Sequence, residues 1–298
     1  MAADNLRAAL IMVLSMALFT MNDAFMKSLA GEVPLHQILL LRNGAVTIVF
    51  ILLAWRSGAF RRGLSRRDAK LACIRGLAEV ATAYFFLTAL FNMPLANVTA
   101  VLQSAPLMVM VAAALFLGEP IGWRRILAVV IGFSGVLLIL RPGPEGFNTY
   151  ALYVLIAVVC LTVRDIVTRK ISKEAPTLLV TAITSAMVAI FFGAKGIGGE
   201  WTELTPRSGG LIAGAALMVL GAYLASVQAM RLGEVSFVSP FRYTSLIWAL
   251  VLGYVVFGEW PTNLTLIGAA IVVGSGMYSF FREMRVNRRV PVPPVRNE

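Results

Sequence analysis

Long apolar runs, broken by glycine, proline and charged residues, occupy most of the chain. A helix that crosses a bilayer needs about 20 predominantly apolar residues, and ten of the runs are long enough. Most connections between them are short, which predicts antiparallel neighbours. The predicted spans are residues 7–30, 35–54, 70–92, 94–117, 121–140, 149–172, 176–194, 208–231, 234–257 and 261–281. The pattern therefore predicts an all-α integral membrane protein with ten transmembrane helices.

The composition agrees with this prediction. Of the 298 residues, 59% are hydrophobic and 14% are charged, and the mean hydropathy is +0.82. Soluble domains carry about 45–50% apolar and about 25% charged residues, so this chain has too little polar surface for a globule in water. Cys73 and Cys160 lie in apolar segments and form no C-x-x-C pair, and the one histidine, His36, is isolated. The sequence therefore predicts no metal site and no cofactor.

The basic residues indicate an orientation in the membrane. The net charge is +11, which on a soluble protein would suggest a nucleic-acid partner. Here the basic residues cluster between the apolar runs. If the N-terminus is cytoplasmic, all of those between the spans fall on the cytoplasmic side except Arg141, Lys195 and Arg207. Because cytoplasmic loops carry the excess of Lys and Arg, we expect a multi-pass protein of the cytoplasmic (inner) membrane with both termini in the cytoplasm and no nucleic-acid partner.

One charged segment occurs twice. "TMNDAFMKSLAGEVP" (20–34) and "TVRDIVTRKISKEAP" (162–176) align at an offset of 142, so that Asp23 matches Asp165 and Lys27 matches Arg169. The first copy ends span 1 and the second ends span 6, which run in opposite directions. Related halves of opposite orientation are typical of secondary transporters with a central binding site. Because the first apolar run belongs to this repeat, we expect a permanent helix and not a cleaved signal peptide, although Arg7 and the residues after it resemble one.

A second, weaker echo divides the chain into domains. "LFLGEP" (115–120) and "VVFGEW" (255–260) each end the fourth span of their half. Turn-forming prolines and glycines in "RPGPEGFN" (141–148) lie between the halves. We therefore expect two inverted five-helix repeats around a central cavity. Their predicted boundaries are 1–143 and 144–284, followed by a basic cytoplasmic tail, 285–298.

The repeats resemble a known family. The passages "ALFNMPLANVTAVLQSAPLMVMVAAALFLGEP" and "PFRYTSLIWALVLGYVVFGEWP" are similar to the repeat unit of the drug/metabolite transporter superfamily, specifically its EamA-type transporters. The resemblance implies a monomeric secondary transporter that exports small metabolites by alternating access. The YddG-like aromatic amino acid exporters are the most similar of the named types, so amino acids are the expected substrates. Import of S-adenosylmethionine and transport of sugars or cationic drugs stay open, as does coupling to protons.

Other function classes find less support in the sequence. No G-x-x-x-x-G-K-[ST] motif is present for ATP binding, and no G-x-S-x-G or H-E-x-x-H motif indicates an enzyme. We therefore do not expect an enzyme. A channel or a lipid scramblase stays open, because neither needs such a motif.

Five polar or aromatic residues are candidates for the substrate cavity at the repeat interface. Aromatic faces can hold flat apolar groups or cations, and an amide can orient a polar group. For each aromatic residue the alternative of packing against protein or lipid stays open. The candidates are Tyr84, Gln103, Tyr223, Tyr243 and Trp248.

Charged residues at membrane depth are candidates for gating or coupling, because an unpaired charge there is costly. Asp23 and Arg42 should face each other on spans 1 and 2 near the outer side, either as an outer gate or as a structural ion pair of this hairpin, with Lys27 as a competing partner of Asp23. An inner ionic cluster is expected to close the cytoplasmic side, and structural ion pairs are the alternative. Its members are Arg75, Glu79, Asp165 and Arg242. Pro106 and Pro240 are expected to kink spans 4 and 9.

Overall fold

The computed structural model describes residues 2–118, 121–141, 148–172 and 174–287, and this part of the chain contains helices and no strand. The helices are α1 (Ala2–Lys27), α2 (Leu35–Arg56), α3 (Ala59–Arg62), α4 (Arg66–Asn92), α5 (Leu95–Leu102), α6 (Ala105–Leu117), α7 (Trp123–Leu140), α8 (Thr149–Lys170), α9 (Thr177–Lys195), α10 (Pro206–Leu232), α11 (Val235–Val238), a 3₁₀ segment (Ser239–Tyr243), α12 (Thr244–Phe257) and α13 (Asn263–Asn287).

Ten segments of the described chain are long and apolar enough to cross a membrane. They correspond one to one with the predicted spans, so the fold class is confirmed. Eight spans are single helices. The fourth span consists of α5 and α6, and the ninth consists of the 3₁₀ segment and α12. Of the boundary features named from the sequence, Glu119, the stretch 142–147 and the tail after residue 287 lie outside the described residues.

The fourth and ninth spans are interrupted near the middle of the bundle. α5 ends at Leu102 and α6 begins at Ala105 with Pro106 in its first turn, where a missing N–H costs no helical hydrogen bond. In the second half the 3₁₀ segment contains Pro240. The Gln103 side chain donates a hydrogen bond to the backbone carbonyl of Arg242 at 3.3 Å, which joins the two interruptions. The regular α-helix is thus interrupted near Pro106 and near Pro240.

The helix contacts follow the symmetry of an inverted repeat. α1 packs against α10 of the other repeat, and the symmetry-equivalent pair, α8 and α4, also packs together across the two repeats. The pairs α2–α9 and α7–α13 each join equivalent helices across the pseudo-two-fold axis. At the first of these pairs the Ser185 hydroxyl donates to the carbonyl of Asn43, its own repeat equivalent, at 3.1 Å.

The backbones of α7 and α13 almost touch. A Cβ atom on Gly135 would lie 2.7 Å from the carbonyl oxygen of Gly268, and one on Gly268 would lie 2.5 Å from that of Gly135. Only glycine fits at such a crossing, because any side chain would force the helices apart.

The bundle is sealed at one end. We call the end where α1 begins the N-terminal face and the end where α1 finishes the opposite face. Fully buried side chains fill the bundle near the opposite face, among them Leu29, Ile38, Leu90, Leu95 and Phe192. Since these belong to several different helices, they form a plug across that end of the bundle.

Candidate functional site

A cavity of about 360 Å³ lies at the centre of the bundle, between the two repeats. Helices of both halves line it, including α1, α2, α4, α8, α9 and α10. A second cavity of about 600 Å³ adjoins it and extends towards the N-terminal face, where Arg125, Met230 and Phe280 lie along its wall. The residues common to both walls are Leu102, Gln103, Leu161, Arg164 and Arg242. The centre of the protein is therefore approached from the N-terminal face.

Asp23 and Arg42 both line the central cavity, but Asn22 stands between them. The Arg42 guanidinium donates from Nη1 to Asn22 Oδ1 at 3.2 Å, and Asn22 Nδ2 donates to Asp23 Oδ1 at 3.0 Å. The direct ion pair considered from the sequence is absent between these two described residues, because the amide of Asn22 occupies the space. The two groups therefore both face the cavity without a direct ion pair between them.

The inner cluster has a different organisation from the one expected. Its central cation is Arg164, which donates to Glu79 at 3.1 Å and to Asp165 at 2.8 Å. From the sequence, Arg75 and Arg242 are the expected cations of this cluster, and Arg164 has no expected role. Among the described residues Arg164 on α8 makes the direct ion pairs, whereas Arg242 attracts Asp165 and Arg75 attracts Glu79 from a greater distance.

Arg75 and Arg242 have other surroundings. Arg75 donates to the hydroxyl oxygens of Thr168, at 3.0 Å, and Thr184. Arg242 lies in the 3₁₀ segment, where its side chain lines both cavities at their junction. Arg242 is thus part of the wall of the passage and attracts Asp165 without a direct ion pair.

The five cavity candidates divide into two groups. Gln103 lines both cavities, Tyr223 lines the central one and Tyr243 lines the second one. Tyr84 and Trp248 line neither of these cavities. Tyr84 packs in an aromatic group with Lys195 Nζ 4.6 Å above its ring, and Trp248 packs against a buried cluster on α1 and α10. The sequence indicates how deep Tyr84 and Trp248 lie in the membrane, but not the side of its helix on which each residue lies.

Tyr223 belongs to an aromatic wall that the sequence did not indicate. Its ring contacts Phe19 edge-on at 5.3 Å and Phe50 at 6.2 Å between centroids. All three residues line the central cavity. They lie on the N-terminal-face side of the Asp23–Arg42 pair, since Phe19 precedes Asp23 by one turn and Phe50 follows Arg42 by about 12 Å along α2. The lining of the cavity therefore combines this aromatic wall with charged residues beyond Asp23 and Arg42, namely Arg75, Glu79, Arg164 and Arg242.

An ion pair closes the opposite face. Lys27 Nζ donates to Glu259 Oε1 at 2.6 Å and to the carbonyl of Met93 at 2.6 Å. The other oxygen of Glu259 accepts from the backbone N–H of Leu95 at 2.9 Å, the first residue of α5. Lys27 is therefore not the partner of Asp23. The Gly258-Glu259 echo, noticed only as a repeat marker, supplies a carboxylate that caps α5 and links both halves.

The described residues contain no group of three or more His, Cys, Asp or Glu side chains that could hold a metal ion.

The halves of the chain match a family model separately. Residues 6–141 and 148–280 each match the EamA-like transporter family. The resemblance drawn from the sequence is therefore confirmed for nearly the whole chain.

Several characterised proteins are similar over most of their length. An S-adenosylmethionine uptake transporter of Rickettsia felis is 27% identical over 285 residues, or 93% of each chain. A riboflavin transporter of Vibrio cholerae is 27% identical over 248 residues, covering 82% of this chain and 83% of that one. The pseudopaline exporter CntI of Pseudomonas aeruginosa is 23% identical over 279 residues, covering 92% and 96%. All three names describe transport of small molecules.

A solved crystal structure has the same fold. It matches with a TM-score of 0.64 over 94% of this chain and 98% of that chain, at 17% sequence identity. At this identity the likeness concerns the fold alone.

Proposed function

Because the chain belongs to the EamA-like transporter family, we propose that it is a secondary transporter whose substrate carries an amino-acid head group, with S-adenosylmethionine as the first candidate. The chemistry of the central cavity carries this proposal. Arg42 and Asp23 present opposite charges to the cavity without pairing directly. A zwitterionic head group presents the complementary charges to such a site.

The rest of the cavity suits the rest of such a substrate. Its volume of about 360 Å³ lies within the range of small-molecule sites, about 300–1,000 Å³. Rings of Phe19, Phe50 and Tyr223 line it on the N-terminal-face side of Asp23 and Arg42. Aromatic faces stack on flat heterocycles and attract cations such as a sulfonium. This argument favours S-adenosylmethionine over a sugar, which offers neither group.

Export of amino acids, including aromatic ones, is the second candidate. The same aromatic wall supports it, because the ring of phenylalanine or tryptophan fits against Tyr223 as an adenine does. One relative, the pseudopaline transporter, is named as an exporter, so similarity alone does not favour import.

We infer that transport proceeds by alternating access about the central cavity. The cavity adjoins a passage to the N-terminal face, while the Lys27–Glu259 pair and the apolar plug seal the opposite face. Release to the opposite face would then require this pair to separate and a seal to form around the second cavity. The interrupted spans, joined through Gln103 and Arg242, are the elements best placed to bend.

The N-terminal face is proposed to be cytoplasmic, in the inner membrane. Arg141, Lys195 and Arg207 are at the opposite face, and the other basic residues between spans lie at the N-terminal face. A cysteine at Ile197, which is 84% exposed, should react with an impermeant maleimide in intact cells. A cysteine at Ser57 should react only after the membrane is permeabilised. Reaction of both from outside would contradict the proposed topology.

Uptake by proteoliposomes tests the substrate. We expect saturable uptake of labelled S-adenosylmethionine, with competition from compounds that carry an amino-acid head group. Riboflavin and tetraphenylphosphonium, which lack that group, should not compete. Uptake measured with and without a proton gradient tests whether transport is coupled to protons. Saturable uptake of phenylalanine but not of S-adenosylmethionine would favour the second candidate, and competition only from riboflavin or phosphonium would overturn the head-group proposal.

A further inference from the structure

The charges that line the central cavity are unequally satisfied. Arg164 has two carboxylates and Arg75 has two hydroxyl oxygens. Arg42 has the amide oxygen of Asn22 at one Nη, and its Nε is buried with no partner in the described structure. A guanidinium has five N–H donors, and its fork matches a carboxylate in a bidentate arrangement. Arg42 therefore has a buried N–H group without a partner and keeps capacity for an anion. Arg242 also lines this cavity, but its side chain is exposed and not buried in the wall.

Asn22 controls how the neighbouring anion is presented. Its side chain is buried, at 4% exposure for the residue, and its oxygen and nitrogen bond Arg42 and Asp23 respectively. An amide can do both because it carries one acceptor and two donors. The second carboxylate oxygen of Asp23 stays available. Asn22 thus keeps a cation and an anion adjacent but unpaired.

Nearby hydroxyl groups direct their hydrogen atoms elsewhere. Thr20 donates to the carbonyl of Met16, Thr184 to that of Val180, and Ser185 to that of Asn43. These donors are engaged with the backbone. Arg42 and Asp23 are consequently the charged groups at this end of the cavity that can receive a charged group of the substrate.

We propose that Arg42 binds the carboxylate and Asp23 the ammonium group of the transported molecule, with Asn22 as the spacer that sets their separation. The carboxylate and ammonium groups of an amino acid are both attached to its α-carbon and therefore lie side by side. Asn22 holds Arg42 and Asp23 side by side in the same way, with charges opposite to those of the groups they would bind. The inference rests on the proposed function and deepens it. It also orients the substrate, with the head group nearer the opposite face and the remainder towards Phe19, Phe50 and Tyr223.

Competition experiments with modified head groups test each residue separately. Labelled S-adenosylmethionine uptake is measured against three unlabelled competitors: the intact compound, its decarboxylated analogue and its N-acetylated analogue. The wild type should prefer the intact compound by about tenfold or more over either analogue, the factor that corresponds to about 1.4 kcal/mol. Arg42→Gln should lose the preference over the decarboxylated analogue and keep the other preference. Asp23→Asn should show the reverse pattern.

Arg75→Gln is the matched control, because it removes the same charge from the same cavity wall. This variant should keep both preferences even if its rate of uptake changes. If both preferences fall equally in all three variants, general electrostatics explains them and the assignment is wrong. A wild type that transports the intact compound without either preference would overturn this inference alone. A wild type that takes up neither S-adenosylmethionine nor an amino acid would overturn the proposed function itself.

A binding measurement on the wild type covers the case of variants that do not fold. In detergent, the intact compound should raise the melting temperature at concentrations at which both analogues have no effect. Equal stabilisation by all three compounds would contradict the assignment without any substitution.

Discussion

At the scale of single residues, Arg164 joins α8 to α4 through Glu79 while also holding its neighbour Asp165. The side chains of Arg164 and Glu79 are only about one fifth exposed, at 19% and 22%. A carboxylate at this depth is costly unless it is paired. Arg164 therefore pairs with two carboxylates inside the bundle.

Removal of this cation should be costly. Arg164→Gln leaves Glu79 and Asp165 without a cation between them, and we expect the free energy of unfolding to fall by about 3 kcal/mol. Arg75→Gln is the comparison, because Thr168 and Thr184 still donate to backbone carbonyls after Arg75 is lost. Its expected loss is about 1 kcal/mol. Unfolding in mixed detergent micelles measures both, and equal losses would show that Arg164 has no special role.

Sequence reasoning located the charged residues but not all of their partners. A rise of about 1.5 Å per residue places a side chain at a depth along its helix. It does not give the rotation of that helix about its axis. Asp23 and Arg42 were accordingly placed at one depth, whereas Arg164 and the intervening Asn22 were missed. The repeat alignment held a signal, because residues 22 and 164 are equivalent positions and each lies beside an aspartate.

At the scale of helices, the Lys27–Glu259 pair links the end of α1 to the start of α5 and the end of α12. Lys27 is 9% exposed in its side chain and Glu259 is 27% exposed. The pair joins the two halves at the sealed end. Its separation is therefore the step that we expect to limit opening at this face.

Weakening this pair should open the opposite face. In a background without Cys73 and Cys160, a cysteine at Leu87, which lines the central cavity and is 2% exposed, reports access. Glu259→Gln should speed its reaction with an impermeant maleimide applied from the opposite face. Glu32→Gln is the control, because it removes an exposed pair with Arg207 at the same face, and such pairs contribute about 0–1 kcal/mol. Equal rates in the two variants would mean that Lys27 and Glu259 do not hold the seal.

The contact between α7 and α13 gives a second test at this scale. Gly268→Ala places a methyl group against the Gly135 carbonyl, and we expect a loss of about 1–3 kcal/mol in unfolding free energy. Gly274→Ala on the same helix meets nothing within 4 Å and should be neutral or slightly stabilising. A similar effect of both substitutions would argue against close backbone packing at this crossing.

At the scale of the whole molecule, the sequence was sufficient for the architecture. Ten apolar runs, the repeated charged segment and the two Gly-Glu echoes each constrain the whole chain, so their agreement left one arrangement of helices. The side-chain directions that build the site depend on packing between distant helices. Trp248 shows the difference, since it lies on the expected span but packs against α1 and α10 and not in the cavity.

Alternating access requires that a single central site is exposed to the two sides of the membrane in turn. Counterflow measures this directly. Proteoliposomes loaded with a millimolar concentration of unlabelled S-adenosylmethionine are diluted into a trace of the labelled compound. A carrier with one alternating site should accumulate label transiently above equilibrium, and Glu259→Gln should alter the rate of that overshoot. Uptake that rises smoothly to equilibrium, does not saturate and is independent of internal substrate would indicate a channel and contradict the account.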